Sequence, residues 1–130
     1  MDGDADVSAG EQPVLDFALL DEIFSERSAA LDVLRRALER ARSLAETLDD
    51  AARGGRWPVV GEKAHEMAGM CANIGATRLS ATARRFETAA RDGGDANLDG
   101  LLGDLSRELS AFAQALQENE ESAESTSTDS

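Results

Sequence analysis

Apolar residues recur along most of this chain at steps of three and four, the spacing that lines one face of a helix. The clearest run is Leu31, Leu34, Leu38, Ala41, Ala45, Leu48 and Ala52. It predicts a helix from a Ser28 cap to about Arg53, with Arg35, Arg36, Glu39, Arg40 and Arg42 off the apolar seam and Gly54-Gly55 as its stop. A second run, Val60, Ala64, Met67, Cys71 and Ile74, predicts a helix that starts at Pro58, where a missing N–H is tolerated, and ends near Cys71 or Ala72. Leu79, Ala83, Phe86 and Ala90 predict a helix over 76–91, and Leu98, Leu102, Leu105, Leu109, Phe112 and Leu116 another over 97–118. Asp16 can cap a short helix over 17–25 with Leu20, Ile23 and Phe24 inward. Asn73–Gly75 and Asp92–Asp95 read as turns. No stretch alternates apolar and polar residues with β-branched enrichment, so no strand is expected.

Four long amphipathic helices on short links predict an all-α fold, an antiparallel up-down-up-down four-helix bundle with a short N-terminal capping helix. Four Phe, one Trp and no Tyr leave a core of Leu and Ala. The net charge of −13 is unevenly spread. Nine acids and no base fall in residues 1–12 and 117–130, which leaves seventeen acids against thirteen bases between them. The expected organisation is a disordered acidic segment or linker over 1–13, the bundle over 14–117, and a disordered acidic Ser/Thr-rich tail over 118–130. The acid excess, with no run of Lys and Arg, excludes nucleic-acid and anionic-membrane binding as expectations. There is no 18-residue apolar run and no signal segment, and the lone Cys71 fits a reducing compartment. A cytoplasmic location is expected.

The chain has a single histidine. His65 is one residue past the inward Ala64, about 100° round the helix, and so leaves the core. Its neighbours one turn away are Gly61, Glu62, Ala68 and Gly69. Three of these are Gly or Ala, so the ring stands over a low surface open to another protein. Each helical glycine costs about 1 kcal/mol relative to alanine, and a local rule broken without a packing gain often marks function. Neutral imidazole is a nucleophile near neutral pH. It can take a phosphoryl group from a phosphoaspartate, and the reverse step regenerates the acyl phosphate. The chain has no paired carboxylates and glycine loop to hold Mg²⁺ and nucleotide, so no cofactor of its own is expected; Mg²⁺ and the acid cluster would come from the partner. Plainer readings stand beside this one. His65 could be an ordinary surface histidine, and Gly69 a close helix contact. Met67 and Cys71 read as core; Cys71 lies about 240° round from His65, a poor metal pair. Gly75 reads as a structural turn residue. Met70, one position off the seam, is either exposed near His65 or partly buried.

The stretch His65-Glu66-Met67-Ala68-Gly69-Met70-Cys71-Ala72-Asn73-Ile74-Gly75-Ala76 resembles the histidine-containing phosphotransfer (HPt) family, whose usual pattern is His-x-Leu-Lys-Gly-Ser-x-x-x-x-Gly-Ala. His65, Gly69, Gly75 and Ala76 match, and Met67 replaces Leu. Arg78-Leu79, the Phe86-Glu87 region, Leu44–Ala52, Gly54-Gly55-Arg56-Trp57 and Ala64 also look like that family, so the resemblance spans about Val14–Leu116. It departs at Ala68, where the family usually has Lys, and at Met70, where it often has Ser.

The resemblance implies a phosphoacceptor role for His65, docking to the receiver domain of a response regulator or hybrid histidine kinase, and no catalytic activity alone. It further implies a module of a bacterial-type two-component phosphorelay, passing phosphoryl groups from one receiver aspartate to another. Many such domains end hybrid sensor kinases, so the chain could be a free protein or the C-terminal domain of a membrane-bound kinase. The candidate docking residues are Gly61, Glu62, Ala68, Gly69 and Met70, and no metal site is expected. With no Lys at Ala68, the candidate phosphate-neutralising cations are Lys63, Arg78, Arg84 and Arg85. Two alternatives remain open: a docking module without efficient phosphotransfer, and a self-associating helical protein. A monomer is expected.

Overall fold

The computed structural model describes residues 12–129, with side chains through Ser122. The expectation for the acidic segment 1–13 therefore lies outside the described residues except at Gln12 and Pro13. Five helices follow in order: α1 (Phe17–Ile23), α2 (Arg27–Arg53), α3 (Trp57–Asn73), α4 (Thr77–Arg91) and α5 (Leu98–Asp129). No strand occurs among the described residues.

The helix starts follow local chemistry in most cases. The Asp16 side chain accepts a hydrogen bond from the Leu19 N–H at 3.1 Å and caps α1. Pro58 lies in the first turn of α3. Asn97 caps α5 by accepting from the Gly100 N–H at 3.2 Å. The expected Ser28 cap is corrected: the cap position falls two residues earlier, at Glu26, which makes no capping bond. A tertiary anchor replaces the cap. The Arg27 guanidinium bonds Asp21 at 3.1 Å and lies over the Phe17 ring, 4.4 Å from its centre.

The seams of the four long helices pack inward and extend further, with Ala90, Leu98 and Leu109 half-buried, whereas Ile23 on α1, expected inward, is 52% exposed. On α2 the buried stripe includes Ala30, Ala37, Leu44 and Ala51 beside the predicted seam. It is wide because α2 packs against both α3 and α5. α3 packs on α4 and α4 on α5, so the four long helices form a closed ring. Pairings run in opposite directions: Ser80 meets Ala68 while Ala90 meets Gly61, and Arg78 meets Glu108 while Arg85 meets Asp104. Phe86, Phe112, Leu34, Leu48 and Met67 fill the middle. α1 closes one end, where the Asp16 N–H donates to the Gly75 carbonyl at 2.8 Å. Gly75 has a φ of +76°, and an added Cβ would lie 3.1 Å from the Asp16 carbonyl oxygen, so this turn requires glycine.

α5 does not stop near Glu118, where composition placed the start of a tail; its helix runs to Asp129. No Gly or Pro follows Gly103, so nothing breaks a helix already anchored by packing. Its outer turns are also tied to α2. Arg27 hydrogen-bonds Asn119 at 3.5 Å, and Arg35 pairs with Glu120. The hydrogen bond to Glu120 holds the Arg35 guanidinium above its usual pKa.

Candidate functional site

α3 and α4 form the most extensive helix pair, and His65 stands on the edge of α3 that faces outward beside α4. Its side chain is 81% exposed. The ring Nδ1 lies 2.8 Å from Glu87 Oε2 on α4. Glu87 is itself held at the helix junction, with only 21% of its side chain exposed. A carboxylate accepts, so the bond favours the tautomer with the proton on Nδ1. The Nε2 lone pair is then free and faces outward. Glu87 is not one of the candidate site residues that the sequence suggests. The signal was a weak one, a lone acid 22 positions along the chain on the next helix, and only the α3–α4 register brings it to His65.

The neighbours of His65 separate into two groups. Gly69 is exposed, and an added Cβ would meet nothing within 4 Å. The alternative of a close helix contact at Gly69 is therefore excluded. Glu62 is also exposed, on the same side of α3. Gly61 instead lies against α4, where an added Cβ would come 3.3 Å from the Ala90 Cβ. Ala68 is corrected outright: it is 1% exposed and belongs to the core. α4 covers it, and the Ser80 hydroxyl donates to its carbonyl at 2.9 Å. Met70 packs against the core in a half-buried position. Five residues past His65 it lies about 140° round the helix, on the α2 side rather than beside the imidazole.

The four candidate cations are likewise sorted. Arg78 pairs with Glu108 at 3.0 Å on the α5 side of α4. Arg85 pairs with Asp104 at 2.8 Å on that same side. Lys63 lies about 160° round α3 from His65 and is half-buried. Arg84 alone of the four is an exposed residue on the α3-facing edge of α4. It lines a groove with Gln12, Asp16, Leu19, Ala72 and Thr77. Glu66, next to His65 in sequence, turns the other way and accepts from Arg40 Nε at 2.9 Å.

Cys71 is fully buried, and desolvation pushes its thiol up to about 12. Among the described residues no group of three or more His, Cys, Asp or Glu side chains is placed to hold a metal ion. Among the same residues no helix is long and apolar enough to cross a membrane.

Comparison with known proteins bears on the fold and the family. The chain is similar in structure to the histidine-containing phosphotransfer protein B (HptB) of Pseudomonas aeruginosa PAO1, with 20% identity and a TM-score of 0.75. The match covers 82% of this chain and 94% of that one, and it establishes the fold. No curated protein sequence matches. A family model described as Hpt domain matches residues 32–119, which contain α3, α4, His65 and Glu87. The chain therefore belongs to the Hpt domain family, the histidine phosphotransfer modules of phosphorelays, whose partners are receiver domains.

Proposed function

We propose that His65 is the phosphoacceptor, taking a phosphoryl group from a receiver-domain aspartate and passing it to the aspartate of another receiver. One observation carries this reading: His65 Nδ1 is 2.8 Å from Glu87 Oε2 while the ring is 81% exposed. The carboxylate fixes the tautomer and the ring plane, and Nε2 is left as an outward nucleophile. In the forward step the Nε2 lone pair forms the N–P bond. The P–O bond to the partner's aspartate breaks, and its electron pair leaves with the carboxylate. No proton is lost: the ring becomes cationic and keeps its Nδ1–H, which goes on donating to Glu87. In-line transfer of this kind needs positioning and charge neutralisation more than covalent machinery, and a receiver partner is expected to supply Mg²⁺ and its own acid cluster.

The open patch at Gly69 supports approach by a folded partner, since no side chain stands in the way. Phosphotransfer from a panel of phosphorylated receiver domains tests the reading. Wild type should take label from at least one, and His65→Gln should take none while keeping its helical circular dichroism. Label that persists in His65→Gln removes His65 from the role. Ala68 in place of the family's usual Lys favours a second reading, a docking module with slow transfer. Receiver binding that is equally tight in wild type and His65→Gln, with no label in either, would establish that one.

A further inference from the structure

The proposed product places negative charge where acids already stand. A phosphoryl group on His65 Nε2 would sit beside Glu87, which holds the other ring nitrogen, and near Glu62, exposed one turn earlier on α3. Position 68 supplies no cation, because it is a buried alanine. From the geometry of α4 we infer that Arg84 is the phosphoryl-binding cation of this chain, reaching the transferred group from the neighbouring helix rather than from the helix that bears the histidine. This inference rests on the phosphotransfer reading of His65.

Three observations place Arg84 there. The first is register. Ser80 bonds the Ala68 carbonyl, and Ala90 lies against Gly61. Interpolating between those two contacts along the antiparallel pair puts Arg84 level with His65. The second is direction. Arg84 lies three residues before Glu87, about 60° further round α4, so it is on the same edge but turned outward. Packed helices lie roughly 8–10 Å apart, a gap that an arginine side chain spans. The third is availability. Arg84 is exposed and makes no ion pair among the described residues, whereas Arg78, Arg85 and Arg40 are engaged by Glu108, Asp104 and Glu66. Arg91 is the remaining arginine on that edge of α4. It is seven residues from Arg84, about 10 Å along the axis toward Trp57, and so falls away from the level of His65. A guanidinium presents a planar fork of donors that matches phosphate oxygens, which suits a group arriving from the side.

The test is single-turnover phosphotransfer from a phosphorylated receiver domain over a range of receiver concentrations. Wild type, Arg84→Ala, Arg84→Gln, Arg84→Lys and Arg91→Ala are compared, with thermal unfolding of each. Loss of a charged hydrogen bond in a partly solvated site lowers the maximal rate of Arg84→Ala and Arg84→Gln by about tenfold. The half-saturating receiver concentration and the melting temperature stay unchanged, Arg84→Lys recovers most of the rate, and Arg91→Ala behaves as wild type. A maximal rate within twofold of wild type in Arg84→Ala overturns the inference. So does a change confined to the half-saturating concentration, which would make Arg84 a contact to the receiver body, and so does a larger loss in Arg91→Ala. Wild type that transfers normally while Arg84→Ala does the same defeats this inference alone. Wild type that takes no label from any receiver defeats the phosphotransfer reading as well.

Discussion

A histidine on a helix surface offers two ring nitrogens, and what distinguishes His65 is that one of them is already engaged. The Glu87 carboxylate holds Nδ1, so in the proposed transfer the attacking nitrogen is defined before any partner arrives. In the proposed transfer Glu87 acts through His65, as a positioning residue. Glu87→Ala should slow phosphotransfer by roughly tenfold to a hundredfold, the range for a lost charged hydrogen bond. Glu87→Gln, which keeps an accepting oxygen but no charge, should fall between it and wild type. Imidazole ¹⁵N shifts check the cause: a dominant Nδ1–H tautomer in wild type should become a mixture in Glu87→Ala. Cys71 gives a separate prediction. Its folded thiol is raised to about 12 against an ordinary value of 9.0. Between those values the unfolded chain has lost the thiol proton and the folded chain has kept it, so stability falls as pH rises through that window. Denaturant unfolding from pH 8 upward should show this fall, and Cys71→Ala should lessen it.

At the scale of the element, Gly69 of α3 and Gly75 of its exit turn do two different things. Gly69 faces open space, so Gly69→Ala should stabilise the fold by about 1 kcal/mol through helix propensity. Gly69→Arg should leave the fold intact but block receiver binding, because its bulk would stand on the approach to His65. Gly75→Ala should destabilise by more than about 1 kcal/mol, since it combines a φ of +76° with a contact at 3.1 Å to the Asp16 carbonyl. Urea unfolding of the three variants orders them, and a destabilising Gly69→Ala would contradict the open patch. α5 shows how an element's length is decided. Glu, Gln and Ala without a breaker continue a helix that packing has begun, and Arg27 and Arg35 hold its outer turns to α2.

At the scale of the whole molecule, each long helix spends its apolar stripe on two neighbours. The heptad-like seam of α2 is covered by α3 and α5, so it is not available for self-association. Among the described residues the one large apolar side chain that is exposed is Ile23. Light scattering at micromolar concentration should therefore report a monomer, and a stable dimer would mean another surface pairs. Phe112 is fully buried in the closed ring of helices, and Phe112→Ala should cost about 3–5 kcal/mol in a cooperative transition.

The steps of three and four along the chain were enough to determine four long helices, a Leu and Ala core, and a histidine outside it. A period of 3.6 residues fixes which side of a helix is buried, and His65 lies one residue off that side. The Asp16 cap, the first-turn Pro58 and the turn at Gly75 were legible for the same reason, because each is settled within a few bonds. The fate of Ala68 and Gly61 was not, since both lie on the flank of α3 that the seam leaves undecided and α4 happens to cover. Nor could the sequence select among Lys63, Arg78, Arg84 and Arg85, or find Glu87 as the partner of His65. Those choices depend on the rotation and register of two helices packed side by side, which only the tertiary contacts between them determine.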